Sequence, residues 1–300
     1  MKVIELVEES AQRLERAGVH LGHGTLDIWD EAAWLVLWAL GRPLDSLDDV
    51  AHTRVGELQV PLVRDLINRR IAKRQPAAYL TGEAWLHGLA FYVDERTIVP
   101  RSLIAEVMID DTLLTWLNTP VQRILDLCTG NGSLAIMAAQ LWPQAHIQAS
   151  DLSASALVVA QRNAHRHGVL ERIEWRHGDG LAAAPGPHDL IVCNPPYVNA
   201  RSMRELPLEY QAEPAMALAG GDDGMDFIRT LLSHAAASLH EGGALVLEIG
   251  HERAHFEAAF PDLAPIWLPT SAGDDQVMLL FRHDLHHRAN HAAMHVGTSR

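Results

Sequence analysis

Three hundred residues are more than one small core needs, so a large domain beside a smaller one is expected. At 48% hydrophobic and 21% charged residues the chain can bury an ordinary core, and its formal net charge of -14 argues against a sequence-independent grip on nucleic acid, where Lys and Arg must displace counterions. A negative surface suits a basic protein partner.

The first eighty or so residues read as helical. Lys2 is followed by Glu5, Glu8 and Glu9 with no apolar run, so no secretory signal is expected. Ile4, Leu6, Val7, Ala11 and Leu14 recur at near-helical spacing, and Trp34, Leu35, Trp38 and Ala39 repeat the pattern until Gly41 and Pro43 stop it. The longest apolar stretch, Ala32 to Leu40, is far short of the roughly 20 residues that cross a bilayer, so it predicts a buried helix and no membrane partner. Val60, Leu62, Val63, Leu66, Ile67 and Ile71 make a third helix, ending before Pro76. From Ala90 to Val99 the residues have strand character, with polar breaks at Asp94-Glu95-Arg96 and Pro100. A helical domain over 1–80 and a hairpin linker over 81–104 are therefore expected.

From about residue 105 apolar runs that read as buried strands alternate with helical stretches. The strand candidates are Arg123 to Leu127, His146 to Ala149, Ile173 to Arg176, Asp189 to Cys193, Ala244 to Ile249 and Gln276 to Phe281. Ser133 to Leu141, Ser153 to His167 and Met225 to Leu239 have helical length and period. Such alternation predicts an α/β domain over 105–283, a doubly wound and mostly parallel sheet with ligands at the carboxyl ends of its strands. A loose polar tail over 284–300 follows. The two cysteines, Cys128 and Cys193, cannot form a disulfide framework and point to a reducing cytoplasm.

Two motifs sit at such strand ends. In Asp126-Leu127-Cys128-Thr129-Gly130-Asn131-Gly132-Ser133 a strand ends, a turn follows and a helix begins. Gly130 and Gly132 let a ligand approach the backbone without a Cβ in the way. Asp151 ends the next strand, where an acidic residue meets ribose hydroxyls in nucleotide-binding α/β folds. By itself this signal is weak, because glycine at a strand-to-helix turn is common for geometric reasons. The second motif, Asn194-Pro195-Pro196-Tyr197, follows the apolar run Leu190 to Cys193. Two prolines force the chain out of the sheet and stiffen it. The Asn194 side-chain oxygen and the Pro195 carbonyl can accept hydrogen bonds from a substrate NH₂ while Tyr197 stacks on its flat face. An amide nitrogen is a poor nucleophile, and such acceptors would orient it towards an electrophilic methyl and stabilise the charge it gains.

With both motifs in hand, the order Asp-x-Cys-x-Gly-x-Gly, Asp151, Asp179, Asn-Pro-Pro-Tyr resembles class I methyltransferases acting on amino or amide nitrogens. The helical preface and Ala78-Tyr79-Leu80-Thr81-Gly82 narrow the resemblance to the HemK-like protein-(glutamine-N5) methyltransferases. Within that family, Gly22-His23-Gly24-Thr25, Trp29-Asp30-Glu31-Ala32, Phe91 to Arg96 and Val99-Pro100-Arg101-Ser102 are similar to the branch that methylates the third protein of the large (50S) ribosomal subunit. The release-factor branch usually carries Arg-Pro-Asp-Thr-Glu at the last of these, and Gly where this chain has Cys128. The resemblance implies a Rossmann-like, seven-stranded class I domain, S-adenosylmethionine as cofactor, a basic ribosomal protein as substrate, a cytoplasmic location, and no metal. It places Asp126, Cys128, Thr129, Gly130 and Gly132 at the cofactor's methionine end, Asp151 on its ribose and Asp179 near its adenine. Asn194, Pro195, Pro196 and Tyr197 would hold the glutamine, with Asn194 also beside the cofactor. Glu248 ends a later strand near the same cleft. Family members usually have an aromatic residue just after the position of Asp179; here Gly180 and Leu181 follow.

Two rival functions share the motifs. Methylation of release factors would use the same chemistry, and Asn-Pro-Pro-Tyr also serves exocyclic base amines. A base must be taken out of its stack and a polyanion held, which this acidic chain does not favour. His283, His287, His291 and His295 recur at four-residue spacing, but without Cys or carboxylate partners they read as a solvated tail. His20 and His23 lie in a Gly-rich turn and could contact substrate or merely cap it, and Asp222-Asp223-Gly224 reads as a surface turn before a helix.

Overall fold

The computed structural model describes residues 1–117 and 120–286. They fall into two compact units: Met1–Trp85 with Tyr92–Arg101 and Leu206–Pro214, and Leu86–Phe91 with Ser102–Glu205 and the chain from Ala215 onward.

The first unit is helical, as the periodicity predicts. Helices Val3–Arg16, Ile28–Ala39 and Gln59–Lys73 bury Leu6, Val7 and Leu14, then Ala32, Leu35 and Val36, then Val63, Leu66 and Ile67 in one core. Asp27 starts the second helix by accepting from Trp29 N at 2.7 Å, satisfying an amide that the first turn leaves unpaired. The third ends at Arg74 in left-handed backbone, two residues before Pro76.

Strands β1 (Glu83–Leu86) and β2 (Leu89–Tyr92) form a two-stranded sheet. The turn residues His87 and Gly88 both have positive φ, 46° and 78°, the twist that matches a two-residue hairpin. The strand expected from Ala90 to Val99 therefore stops at Tyr92. Beyond it Asp94 folds the chain back, accepting from the Tyr92 hydroxyl at 2.7 Å and from Arg96 N at 3.1 Å. A side chain that satisfies its own local backbone competes with strand pairing.

The second unit holds a seven-stranded sheet in the order β5-β4-β3-β6-β7-β9-β8. Its strands are β3 (Arg123–Leu127), β4 (His146–Asp151), β5 (Ile173–His177), β6 (His188–Cys193), β7 (Leu239–Glu248), β8 (Ile266–Thr270) and β9 (Gly273–Phe281). Neighbours from β5 across to β7 are parallel, and β9 runs antiparallel to both β7 and β8. Both faces are covered. Ile124, Leu190, Val192 and Val246 pack into one apolar cluster and their alternating neighbours Leu125, Ile191, Cys193 and Leu245 into another. That two-sided burial is why these strands read as continuous apolar runs. Helices Ser133–Leu141, Ala154–Arg166 and Asp226–Ser238 lie where the pattern predicts them. The strand that the pattern misses is β8. Pro269 lies inside it, a residue tolerated because β8 is the sheet's outermost strand.

No helix among the described residues is long and apolar enough to cross a membrane. His287, His291 and His295 lie outside the described residues.

Candidate active site

Strand order decides what meets. After β5 the chain reverses the direction in which it adds strands and lays β6 beside β3, so the switch lies between β3 and β6, the place where α/β sheets bind ligands beyond their carboxyl ends. Leu127 pairs with Ser150 and with Cys193, and Asp151 pairs with His177. Asp179, Asp151, Cys128 and Asn194 thus leave four adjacent strands at nearly one level. Strands lie about 4.8 Å apart, so the row spans roughly 14 Å.

At its centre Asp126 is 1% exposed. Its Oδ2 accepts from Thr129 Oγ1 at 2.5 Å and Ala135 N at 2.9 Å, while Oδ1 is buried with no hydrogen-bond partner among the described residues. Burial lifts its pKa to about 7, although those two hydrogen bonds favour the carboxylate. Cys128 has φ +63°, a left-handed conformation costing a side-chain-bearing residue about 1 to 2 kcal/mol. A glycine here would be relaxed. A Cβ on Gly132 would stand 2.9 Å from Ala160 Cβ, whereas one on Gly130 would meet nothing within 4 Å among the described residues. The outer side of the turn is open.

Asp151 holds the turn in place. Its Oδ2 accepts from Gly130 N at 2.9 Å and its Oδ1 from Ser153 N at 2.8 Å, and burial raises its pKa. Asp179 is exposed and borders a cavity of about 330 Å³ with Leu181, Phe227, Thr230 and Leu231 among its walls. Phe227 arrives from the helix after the second motif. Nothing in the spacing of the chain marked it.

Asn194 is half-buried and Pro195 buried immediately after β6. Val198 N donates to Leu218 O at 2.8 Å and Gly220 N to Val198 O at 2.9 Å, so a segment twenty residues downstream clamps the motif's exit. Asp222-Asp223-Gly224 is part of that clamp: a Cβ on Gly224 would lie 2.2 Å from Tyr197 O. Burial keeps the Cys193 thiol well above its usual pKa, so it stays protonated. Glu248, at the end of β7, turns its Oε2 to Ser102 Oγ at 2.6 Å and Leu103 N at 2.9 Å, fixing the start of the Ile104–Ile109 helix.

The first unit contains a polar cluster that sequence reading missed. Arg70, fully buried, donates to Glu31 Oε1 at 2.8 Å, to Glu209 Oε1 at 3.0 Å and to the His20 carbonyl at 2.8 Å. Glu213 accepts from Arg101 at 2.7 Å through both oxygens and from Val99 N at 2.8 Å. Burial alone would raise the Glu213 pKa, but Arg101 and His23 hold it at about 2. His23, 2% exposed, lies 4.1 Å from the Tyr210 ring centroid, so it is a packed residue of this unit.

Residues 109–209 match the family described as Methyltransferase small domain. A ribosomal protein uL3 glutamine methyltransferase of Bordetella pertussis is 52% identical over 284 residues, covering 94% of this chain and 95% of the relative. One of the same description from Burkholderia pseudomallei is 48% identical over 293 residues, again covering 94% and 95%. Among solved structures, the hMettl16 catalytic domain in complex with a MAT2A 3'UTR hairpin gives a TM-score of 0.50 at 10% identity, covering 75% of this chain and 81% of that one. The last is a likeness of fold.

Proposed function

The chain belongs to the ribosomal protein uL3 glutamine methyltransferases, and from that premise we infer that it transfers a methyl group to the side-chain amide nitrogen of a glutamine in uL3. The observation that carries the chemistry is the row of strand ends, with acidic residues on one side of the glycine turn and Asn-Pro-Pro-Tyr on the other.

S-adenosylmethionine fits that row. The unpartnered Oδ1 of Asp126 suits its α-ammonium, and the open face at Gly130 admits its methionine part to the backbone. Both Asp151 oxygens retain a lone pair for a ribose diol. Asp179 is an acceptor for the adenine amino group, with Leu181 and Phe227 as apolar walls beside it. The bound cofactor supplies an electrophilic sulfonium methyl. Asn194 Oδ1 and the Pro195 carbonyl would accept the two amide N–H groups and Tyr197 would cover one amide face, leaving the nitrogen lone pair on the opposite face free to react. The methyl passed to that nitrogen would leave the electron pair of its former bond on the donor sulfur. The two acceptors stabilise the nitrogen's developing positive charge until a proton leaves to water.

Asp126 makes cofactor binding depend on pH. With a pKa near 7 it is largely neutral below that value, and an ammonium ligand requires the carboxylate. Affinity for S-adenosylmethionine is expected to fall on the order of tenfold between pH 8 and pH 6, and to be weak and flat in Asp126→Asn. Calorimetry across that range is the measurement; a flat profile in the unmodified protein would detach Asp126 from the cofactor.

The substrate is tested with labelled cofactor against purified uL3, purified release factor and RNA. Label on a uL3 glutamine is the expected result. Preferential label on the release factor would reassign the branch, and label in RNA would overturn protein methylation. A ribosomal substrate and two free cysteines support a cytoplasmic location.

A further inference from the structure

Tyr197 is enclosed by glycines drawn from two separate turns. A Cβ on Gly220 would stand 2.8 Å from Tyr197 Cα, and one on Gly224 2.2 Å from Tyr197 O; these two close on its backbone. Gly250 closes on its ring. There a Cβ would fall 2.6 Å from Tyr197 Cε2, 3.1 Å from Cζ and 3.3 Å from the hydroxyl oxygen. Contacts under 3 Å are not tolerated between carbon atoms, so a side chain at 250 and this ring pose exclude each other.

Gly250 itself is held firmly. It is buried two residues beyond β7, inside a turn closed by Glu252 N donating to Ile249 O at 3.2 Å, with Ile249 N tied to Gln276 O at 2.9 Å. The Glu252 side chain accepts from Asn199 Nδ2 at 2.7 Å, two residues past Tyr197. Both sides of the contact are therefore anchored, and a tyrosine ring has only two side-chain torsions to restrain.

We propose that Gly250 is a positioning residue for methyl transfer: its bare Cα is the surface against which the Tyr197 ring is set, and this fixes the plane on which the glutamine amide lies. The proposal rests on the reading of Asn194 to Tyr197 as the amide-holding motif. Gly250 touches neither the amide nor the cofactor and acts through Tyr197. The simpler role for Gly250 is conformational, since its φ is +52°. The two roles separate at one substitution. Asparagine accepts left-handed backbone far better than alanine does, yet carries the same Cβ.

The experiment compares Gly250→Ala and Gly250→Asn, each alone and combined with Tyr197→Ala. It measures kcat and KM on uL3, the dissociation constant for S-adenosylmethionine, and the thermal midpoint. Both Gly250 variants should lose kcat by about 10- to 100-fold with cofactor affinity unchanged, and Gly250→Asn should lose less thermal stability than Gly250→Ala. In the Tyr197→Ala background neither should lower kcat further, because there is no ring left to displace. Wild-type kcat in Gly250→Asn would overturn the proposal, as would losses that multiply with Tyr197→Ala. An unmodified enzyme that methylates a glutamine in neither uL3 nor the release factor would instead sink the amide-holding reading, and the two failures are distinct.

Discussion

Replacing Asn194 by alanine is expected to reduce methyl transfer by on the order of 10²- to 10³-fold while the fold survives and cofactor affinity falls far less. An amide nitrogen gives up little electron density unless its surroundings reward the charge it develops. A preorganised polar group aimed at developing charge contributes about 3 to 4 kcal/mol to the barrier. Asn194 occupies the last position before two prolines, on a backbone whose exit is clamped by the Val198, Leu218 and Gly220 hydrogen bonds, so its orientation is prepaid by the fold. Single-turnover methylation of uL3, run beside calorimetry with the cofactor and a thermal scan, separates the outcomes. Turnover within threefold of the unmodified enzyme would remove Asn194 from the reaction. A loss accompanied by a lowered melting midpoint would make it a structural residue.

The second large effect concerns stability. Arg70→Met should destabilise the first unit by about 3 to 5 kcal/mol, because it leaves two carboxylates and a carbonyl facing a hydrocarbon. Arg70 is fully buried and uses its guanidinium on Glu31, Glu209 and the His20 carbonyl. Burial raises the Glu31 pKa despite Arg70, whereas at Glu209 the burial cost is outweighed by the His20 amide and Arg70, which lower it. Glu31 is thus the carboxylate expected to take up a proton first when the arginine goes. Arg70→Lys should recover little, since a compact ammonium cannot span three acceptors set around a planar fork. Urea unfolding measures the loss; a change below about 1 kcal/mol would mean that the cluster relaxes around water. The same cluster advises against testing substrate choice by cutting the chain near residue 80. Such a cut removes Arg70, Arg74 and Glu31 while leaving Glu209 behind with its carboxylate.

What the sequence by itself determined is whatever is written in local period and local stereochemistry. A strand covered on both faces is a mostly continuous apolar run, so β3, β6 and the body of β7 could be read before any contact was known. A helix such as Ser133–Leu141, starting just past glycines, declares its own ends. Residues confined to strand ends, Asp126, Asp151 and Asn194 among them, could likewise be placed on one side of the sheet, because parallel topology sends every carboxyl end the same way. Tertiary structure alone decided the rest, where the cause lies far along the chain. Pro269 hides β8, and only an outer position in the sheet makes that proline tolerable. The strand expected beyond Tyr92 lost to a carboxylate, Asp94, that bonds its own backbone. Glu209, in the short helix Leu208–Gln211, and Glu213 just beyond it look in sequence like any exposed charges. They are buried because Arg70 and Arg101, more than a hundred residues earlier, reach them. Gly250 is ordinary in sequence, and its meaning comes from the ring of Tyr197 lying where its Cβ would be. Ion pairing and close packing act through space, and a reading along the chain cannot measure distance.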